Sequence, residues 1–95
     1  MTTPQDIKVT HNQEMHRFET EVEGKTAYLQ YALRGNTISM DHTFTPDSLR
    51  GRGIASVVTK FALDYAKENK LQVIPGCSFV AEYIINHPEY QPLTK

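Results

Sequence analysis

The sequence predicts an α+β fold built on a mixed sheet: an antiparallel meander of four strands, a helix, a fifth strand and a C-terminal helix. Four segments between residues 7 and 44 alternate apolar and polar side chains, which is typical of strands with one solvated face. Short connections join these segments, as in a meander. An apolar stripe at helical spacing then separates the fourth strand from the fifth, so we expect these two strands to run parallel through a right-handed crossover.

Length and composition limit both the architecture and the partners. The 95 residues predict a single domain, residues 1–95, and hydrophobic and charged fractions of 39% and 22% are those of an ordinary globular protein. A net charge of -1 predicts no general attraction to nucleic acid or to a membrane surface. No apolar run approaches the ~18 residues of a membrane span, and residues 1–6 lack signal-peptide features. We therefore expect a cytoplasmic protein, either a monomer or a weak homodimer.

Neither a disulfide nor a metal site is expected. Cys77 is the only cysteine in the sequence, which excludes an internal disulfide and every multi-cysteine metal site. The four histidines have neither H-x-x-x-H spacing nor a paired acid: His11, His16, His42 and His87. The sequence thus predicts no structural metal.

The four strands of the meander are predicted from the side chains that share a face. Residues 7–11 form the first strand, and the chain turns from His11 onward. One face of the second strand carries His16, Phe18, Thr20 and Val22, and one face of the third carries Ala27, Leu29, Tyr31 and Leu33. On the fourth strand the alternation gives one face to Ile38, Met40, His42 and Phe44 and the other to Ser39, Asp41 and Thr43.

Two helices and a strand are predicted after the meander. The first helix opens at about Gly53, and its apolar stripe consists of Ile54, Val57, Val58, Phe61, Ala62 and Tyr65, while Thr59 faces water. Residues 71–74 form the fifth strand, which Pro75-Gly76 closes. Cys77 or Ser78 then opens the second helix, and the residue before Pro88 ends it.

The junction between the fourth strand and the first helix is predicted to bind an anion. Its sequence is Leu49-Arg50-Gly51-Arg52-Gly53-Ile54-Ala55. The first N–H groups of the helix are unpaired and carry partial positive charge. The two glycines let the backbone approach a ligand closely, and the two arginines add forked donors that suit phosphate oxygens. The alternative is a solvated loop with a flexible helix start.

The loop and three further motifs carry a resemblance to a known family. The spacing Arg50-x-x-Gly53-x-Ala55 resembles the [Q/R]-x-x-G-x-[G/A] fingerprint of the GNAT superfamily of N-acetyltransferases, in which this loop binds the pyrophosphate of acetyl-coenzyme A (acetyl-CoA). The other motifs resemble the small single-domain members often called YjdJ-type: His42-Thr43-Phe44, Pro75-Gly76-Cys77-Ser78-Phe79-Val80 and His87-Pro88-Glu89-Tyr90. The resemblance covers nearly the whole chain and implies a truncated GNAT fold.

The departures from full-length GNAT enzymes concern the acceptor half. Those enzymes insert two helices between the first and second strands, and the gap from His11 to Met15 is too short for a helix. They also end in a further strand pair that helps to wall the acceptor site, whereas only twenty residues follow Pro75 here. We therefore expect an intact cofactor half, and the identity of the acceptor stays open.

The resemblance implies an acyltransferase that moves an acetyl group from acetyl-CoA, its co-substrate, to an amine on a protein or peptide. In the family an amine attacks the thioester directly, a base removes its proton, and a backbone N–H of the fourth strand polarises the carbonyl. The implied cofactor-binding residues are His42, Thr43, Phe44, Leu49, Arg50, Gly51, Arg52, Gly53, Ile54, Ala55, Cys77 and Ser78. The alternative function is a non-catalytic acyl-CoA-binding module.

Two residues are candidates for the chemistry. His42 has a proton affinity suited to base work near neutral pH, although apolar neighbours on its strand also fit an inert core histidine. Cys77 opens a helix, where the helix dipole lowers the pKa of a thiol. We expect it either to contact the acyl thioester or to accept the acyl group; the alternative is a small buried apolar residue.

Overall fold

The computed structural model describes residues 7–94. One sheet has the strand order β1-β2-β3-β4-β5, with β1 Thr10–Asn12, β2 Arg17–Val22, β3 Lys25–Arg34, β4 Thr37–Phe44 and β5 Gln72–Ile74. The first four strands are antiparallel neighbours, and β5 pairs parallel with β4. Helix α1 (Ile54–Glu68) connects β4 to β5, and helix α2 (Ser78–Asn86) follows β5. The predicted meander, parallel fifth strand and two helices are confirmed.

The first strand lies later in the chain than the alternation predicted. Its pairing joins His11 to Phe18 and Asn12 to Arg17, so Asn12 belongs to the ladder and not to the turn. The His11 ring stacks on Phe18 with ring centroids 4.3 Å apart, which holds the end of β1 against β2. Ile7 and Val9 pack against the core outside the paired segment. Their apolar spacing therefore reflects packing, and pairing begins only at Thr10.

The core lies between one face of the sheet and the helices. Helix α1 packs against β2, β3 and β4, and α2 contacts α1. The sheet contributes side chains that are at most 2% exposed: Phe18, Ala27, Leu29, Ile38, Met40 and Val73. On the opposite face of the meander Glu21, Gln30 and His42 are exposed. The helices thus cover one face of the sheet, and the part of the chain that the structure describes leaves much of the other face open.

The buried face of α1 is displaced from the predicted stripe. Thr59, which was expected to face water, is fully buried, and so are Leu63 and Ala66. Phe61 belongs to the predicted stripe, yet it is 40% exposed. Helix α1 also packs against α2 and against the short 3-10 helix Pro88–Thr94, so its buried surface is not limited to the side that faces the sheet.

A β-bulge at Asp41 reverses the predicted faces at the end of β4. Tyr31 pairs with Met40 and Gln30 pairs with His42, so Asp41 is the extra residue. One extra residue moves every later side chain to the opposite face. His42 and Phe44 therefore lie on the open face, and the prediction that they share a face with Met40 is wrong. Thr43 instead pairs with buried Leu29 and lies on the helix side.

The C-terminal His-Pro-Glu-Tyr motif anchors the end of the chain to α1. Tyr90 is 3% exposed, and its hydroxyl donates a 2.6 Å hydrogen bond to Asp64. Asp64 also forms an ion pair with Lys60, with 2.7 Å between Lys60 Nζ and Asp64 Oδ2. Burial and the Asp64 carboxylate raise the pKa of Tyr90 to about 12, so this hydroxyl stays protonated and keeps its bond at neutral pH.

Candidate active site

A cavity of about 450 Å³ lies where β4 ends, α1 begins and α2 begins. Seven of the twelve residues predicted to bind the cofactor line it: Thr43, Leu49, Arg50, Gly51, Gly53, Ile54 and Ala55. Thr45, Ser56 and Phe79 complete the lining. The cavity therefore joins the predicted anion loop to the strand and helix that carry Thr43 and Cys77.

The loop backbone leaves the start of α1 open to a ligand. Gly51 and Gly53 have φ angles of 81° and 77°, in the left-handed region that favours glycine. Gly53 is the N-cap residue of α1, and no side chain caps this helix or adds an acid to its first turn. The N–H groups of residues 54–56 thus have no partner from the helix itself and lie at the cavity wall. This arrangement suits a phosphate group.

The two loop arginines have different surroundings. Arg50 lines the cavity, and its side chain is 67% exposed, with Nε 3.3 Å from the Thr45 carbonyl oxygen and 3.4 Å from Asp47. Arg52 instead forms a 2.6 Å ion pair with Glu23 in the turn between β2 and β3. This hydrogen bond and the charge of Arg52 lower the pKa of Glu23. Arg50 is therefore the loop arginine that faces a cavity ligand directly.

A second contact also ties the loop to this turn. Lys25 donates a 2.7 Å hydrogen bond from Nζ to the Ser48 hydroxyl. The turn therefore holds the loop on both sides, at Ser48 before the glycines and at Arg52 between them. Both contacts are exposed, so they contribute little to the stability of the fold and mainly restrict the loop.

We expect Glu23→Gln to increase affinity for coenzyme A (CoA) about two- to fivefold at low salt. The substitution removes a negative charge near the cavity and frees Arg52 to donate to a phosphate. Isothermal titration calorimetry at low and at high salt measures the effect, which screening should reduce. Glu68→Gln changes the same charge at the far end of α1 and should leave affinity unchanged. Weaker binding by Glu23→Gln would mean that the ion pair shapes the loop for the ligand.

Cys77 lies beside the cavity as the N-cap residue of α2. Its sulfur is 3.4 Å from the Thr43 hydroxyl oxygen, and its N–H donates a 3.0 Å hydrogen bond to the Met40 carbonyl oxygen. Burial alone raises the pKa of this thiol, but hydrogen bonds from Thr43 and from the N–H groups of Phe79 and Val80 outweigh burial and lower it. These hydrogen bonds therefore make the Cys77 thiol easier to ionise, next to a cavity that Thr43 and Phe79 both line.

A match to a known protein family covers most of the chain. Residues 17–93 match the profile described as GCN5-related N-acetyl-transferase. The chain belongs to this family. GNAT is the abbreviation of this family name. The resemblance that the four motifs carry is therefore confirmed.

Relatives of this chain match it over most of their length. Protein NATD1 of Xenopus tropicalis is 32% identical over 98 residues, which cover 100% of this chain and 90% of the relative. Protein NATD1 of Homo sapiens is 34% identical over 92 residues, covering 94% and 81%. The NMR structure of a GCN5-like protein from Staphylococcus aureus superposes with a TM-score of 0.71 at 27% identity, covering 90% of this chain and 85% of the other. The truncated GNAT fold is thus confirmed.

The remaining predicted site residues of this family member lie outside the cavity lining. His42 and Phe44 are on the open face, where their rings lie 6.0 Å and 5.6 Å from the Tyr28 ring. Ser78 is the exposed first residue of α2. His42 and Cys77 are therefore on opposite faces of β4, because the bulge turns Thr43, and not His42, towards Cys77.

Sequence reasoning missed three cavity residues and one side-chain role. Thr45, Ser56 and Phe79 line the cavity, and Thr43 contributes its hydroxyl in addition to its backbone. The sequence offers a signal for Ser56, which lies in the first turn of α1 beside the glycines. No local pattern marks Thr43, because its direction depends on the bulge.

No helix among residues 7–94 is both long and apolar enough to span a membrane. Within the same range, no group of three or more His, Cys, Asp or Glu side chains is arranged to hold a metal ion.

Proposed function

We propose that this protein transfers an acetyl group from acetyl-CoA to an amine acceptor. The observation that carries the proposal is the cavity between the uncapped start of α1 and the Thr43–Cys77 pair. An anion site at one side and a thiol at the other match a ligand that has a pyrophosphate and a thioester. Membership of the GCN5-related N-acetyltransferase family supports the same ligand.

The residues present fit this co-substrate. The N–H groups of residues 54–56 and the Arg50 guanidinium suit the pyrophosphate. Leu49, Ile54 and Phe79 offer apolar contacts along the cavity, and Thr43 and Cys77 border the end where the thioester would lie. Bound acetyl-CoA would supply an activated acyl group whose leaving group is the CoA thiol.

His42 is the proposed base on the acceptor side. It is exposed on the open face of β4, where an amine on a protein or peptide has access. In direct transfer the amine nitrogen bonds to the carbonyl carbon, the carbon–sulfur bond breaks, and the proton that the amine loses reaches His42 through a water molecule, because His42 lies on the face of β4 opposite the Thr43–Cys77 pair. The proton finally returns to the departing CoA thiolate or to water. The open face explains our choice of a macromolecular amine over an enclosed small molecule.

A non-catalytic acyl-CoA-binding module is the second candidate. The exposure of His42 and Phe44 on this face of β4 favours it, since an acceptor there would be little enclosed. Incubation with acetyl-CoA and a library of lysine-containing peptides, followed by detection of free CoA thiol, separates the two functions. Thiol release that depends on the peptide and yields acetylated peptide supports transfer. Tight binding of acetyl-CoA without either product supports the module.

We expect His42→Gln to lower peptide acetylation by about 100-fold while acetyl-CoA affinity stays close to wild type. The exposed position of His42 means that the substitution removes a base without opening the core. Steady-state kinetics and calorimetry on the same preparation measure the two quantities. His16→Gln replaces another exposed histidine, at the turn before β2, and serves as the control. Equal turnover in both variants would remove His42 from the mechanism.

A further inference from the structure

The Thr43 hydroxyl and the Cys77 sulfur join the end of β4 to the start of α2. Their separation is 3.4 Å, within the range of a hydrogen bond to sulfur. Both residues are half-buried, and Thr43 also lines the cavity. The contact exists because the bulge at Asp41 turns the Thr43 side chain to the helix side of the sheet.

The surrounding backbone fixes the distance between the two residues. The Cys77 N–H donates a 3.0 Å hydrogen bond to the Met40 carbonyl oxygen, just before the bulge. A Cβ at Gly76 would lie 2.8 Å from the Asp41 carboxylate, so glycine lets the turn before Cys77 approach the bulge closely. The Ser39 hydroxyl donates a short hydrogen bond to the same carboxylate. The bulge and the cysteine turn are therefore packed as one unit.

The candidate base is directed away from this unit. His42 follows the bulge on the opposite face of β4, next to Tyr28, so it does not face the sulfur. The groups that do reach the sulfur are the hydroxyl and the backbone N–H of Thr43 and the N–H groups of Phe79 and Val80. A hydroxyl and a helix start stabilise a thiolate without accepting its proton.

We propose that Thr43 is the positioning residue for Cys77: its hydroxyl donates a hydrogen bond to the thiolate and holds the sulfur beside the cavity. Cys77 then needs no histidine base, and its reactivity is independent of His42. The inference rests on the proposed function only in assigning an acyl thioester to the cavity. The Thr43–Cys77 pair itself is tested without any cofactor.

The test is the rate of alkylation by iodoacetamide as a function of pH, with the protein alone. Cys77 is the only cysteine, so the intact-protein mass reports on this thiol directly. Thr43→Val keeps the shape and strand propensity of the side chain and removes the hydroxyl. Thr43→Ser restores the hydroxyl, and Thr26→Val serves as the matched control, because Thr26 is an exposed threonine of β3 outside the cavity lining.

Thr43→Val should slow alkylation about three- to tenfold at pH 7 and move the midpoint of the pH profile upwards, because the thiolate loses a donor. Thr43→Ser should recover most of the rate, and Thr26→Val should match wild type. Unchanged profiles in Thr43→Val would overturn the proposal. Faster alkylation of Thr43→Val would also overturn the proposal, because it would mean that the substitution loosens the fold and exposes the Cys77 thiol. If the wild-type protein neither binds acetyl-CoA nor transfers its acetyl group, the proposed function is overturned. The alkylation rates would still test the Thr43–Cys77 pair, because they are measured without acetyl-CoA.

Discussion

Gly53→Glu is expected to weaken CoA binding by about 1000-fold, which puts it beyond detection by calorimetry. The new carboxylate would lie at the N-cap of α1, within a few ångströms of a bound pyrophosphate. At an effective dielectric constant of about 20, like charges about 4 Å apart repel by about 4 kcal/mol. The φ angle of 77° adds backbone strain for any side chain.

Two variants separate charge from strain in this experiment. Gly35 lies in the turn between β3 and β4 with a φ of 57°, and nothing lies within 4 Å of a Cβ added there. Gly35→Glu therefore adds the same charge and comparable strain away from the cavity, and it should bind CoA like wild type. Gly53→Ala carries the strain alone and should bind with intermediate affinity. Unchanged affinity in a folded Gly53→Glu protein would remove the anion site.

The second large effect is expected at Cys77. If Cys77 accepts the acyl group, mixing the wild-type protein with acetyl-CoA should give an adduct with the mass of one acetyl group at Cys77, formed when the Cys77 thiolate attacks the carbonyl carbon and CoA leaves as its thiolate. Cys77→Ala should bind CoA normally, lose the adduct and lose most turnover. Intact-protein mass spectrometry and peptide acetylation measure the two effects on the same samples.

The control for Cys77 keeps a hydrogen-bonding group in place. Cys77→Ser still bonds to Thr43, but a hydroxyl is not ionised near neutral pH, so the serine variant should also form no adduct. Full turnover in Cys77→Ala, with no adduct on the wild-type protein, would leave direct attack as the mechanism. Cys77 would then only form part of the wall next to Thr43.

Local patterns in the sequence were sufficient to predict the order of the elements. Alternation identified β2, β3 and β4, and the apolar spacing after Gly53 identified α1. The short connections gave the antiparallel meander, and the long helix gave the parallel β5. Glycine and cysteine placed next to helix starts also located the loop and the N-cap of α2. These features depend on neighbours a few residues apart, which a sequence displays directly.

The features that were missed depend on contacts between distant segments. The bulge at Asp41 accompanies the close approach of Gly76, and it moved His42 to the open face. Arg52 pairs with Glu23, 29 residues earlier in the chain, and so does not line the cavity. Thr59 is buried on α1, which packs against the C-terminal segment and α2 as well as against the sheet. Periodicity contains no information on any of these contacts.

The most direct test of acetyl-CoA binding at this cavity is a titration of the ¹⁵N-labelled protein with acetyl-CoA, followed by amide NMR. The largest shifts should occur at the N–H groups of residues 50–57, with further shifts at Thr43 and Cys77, which border the other end of the cavity. The amides of β1, on the far edge of the sheet, should not move. Saturable shifts confined to β1 and the open face, or no shifts at millimolar acetyl-CoA, would contradict the account.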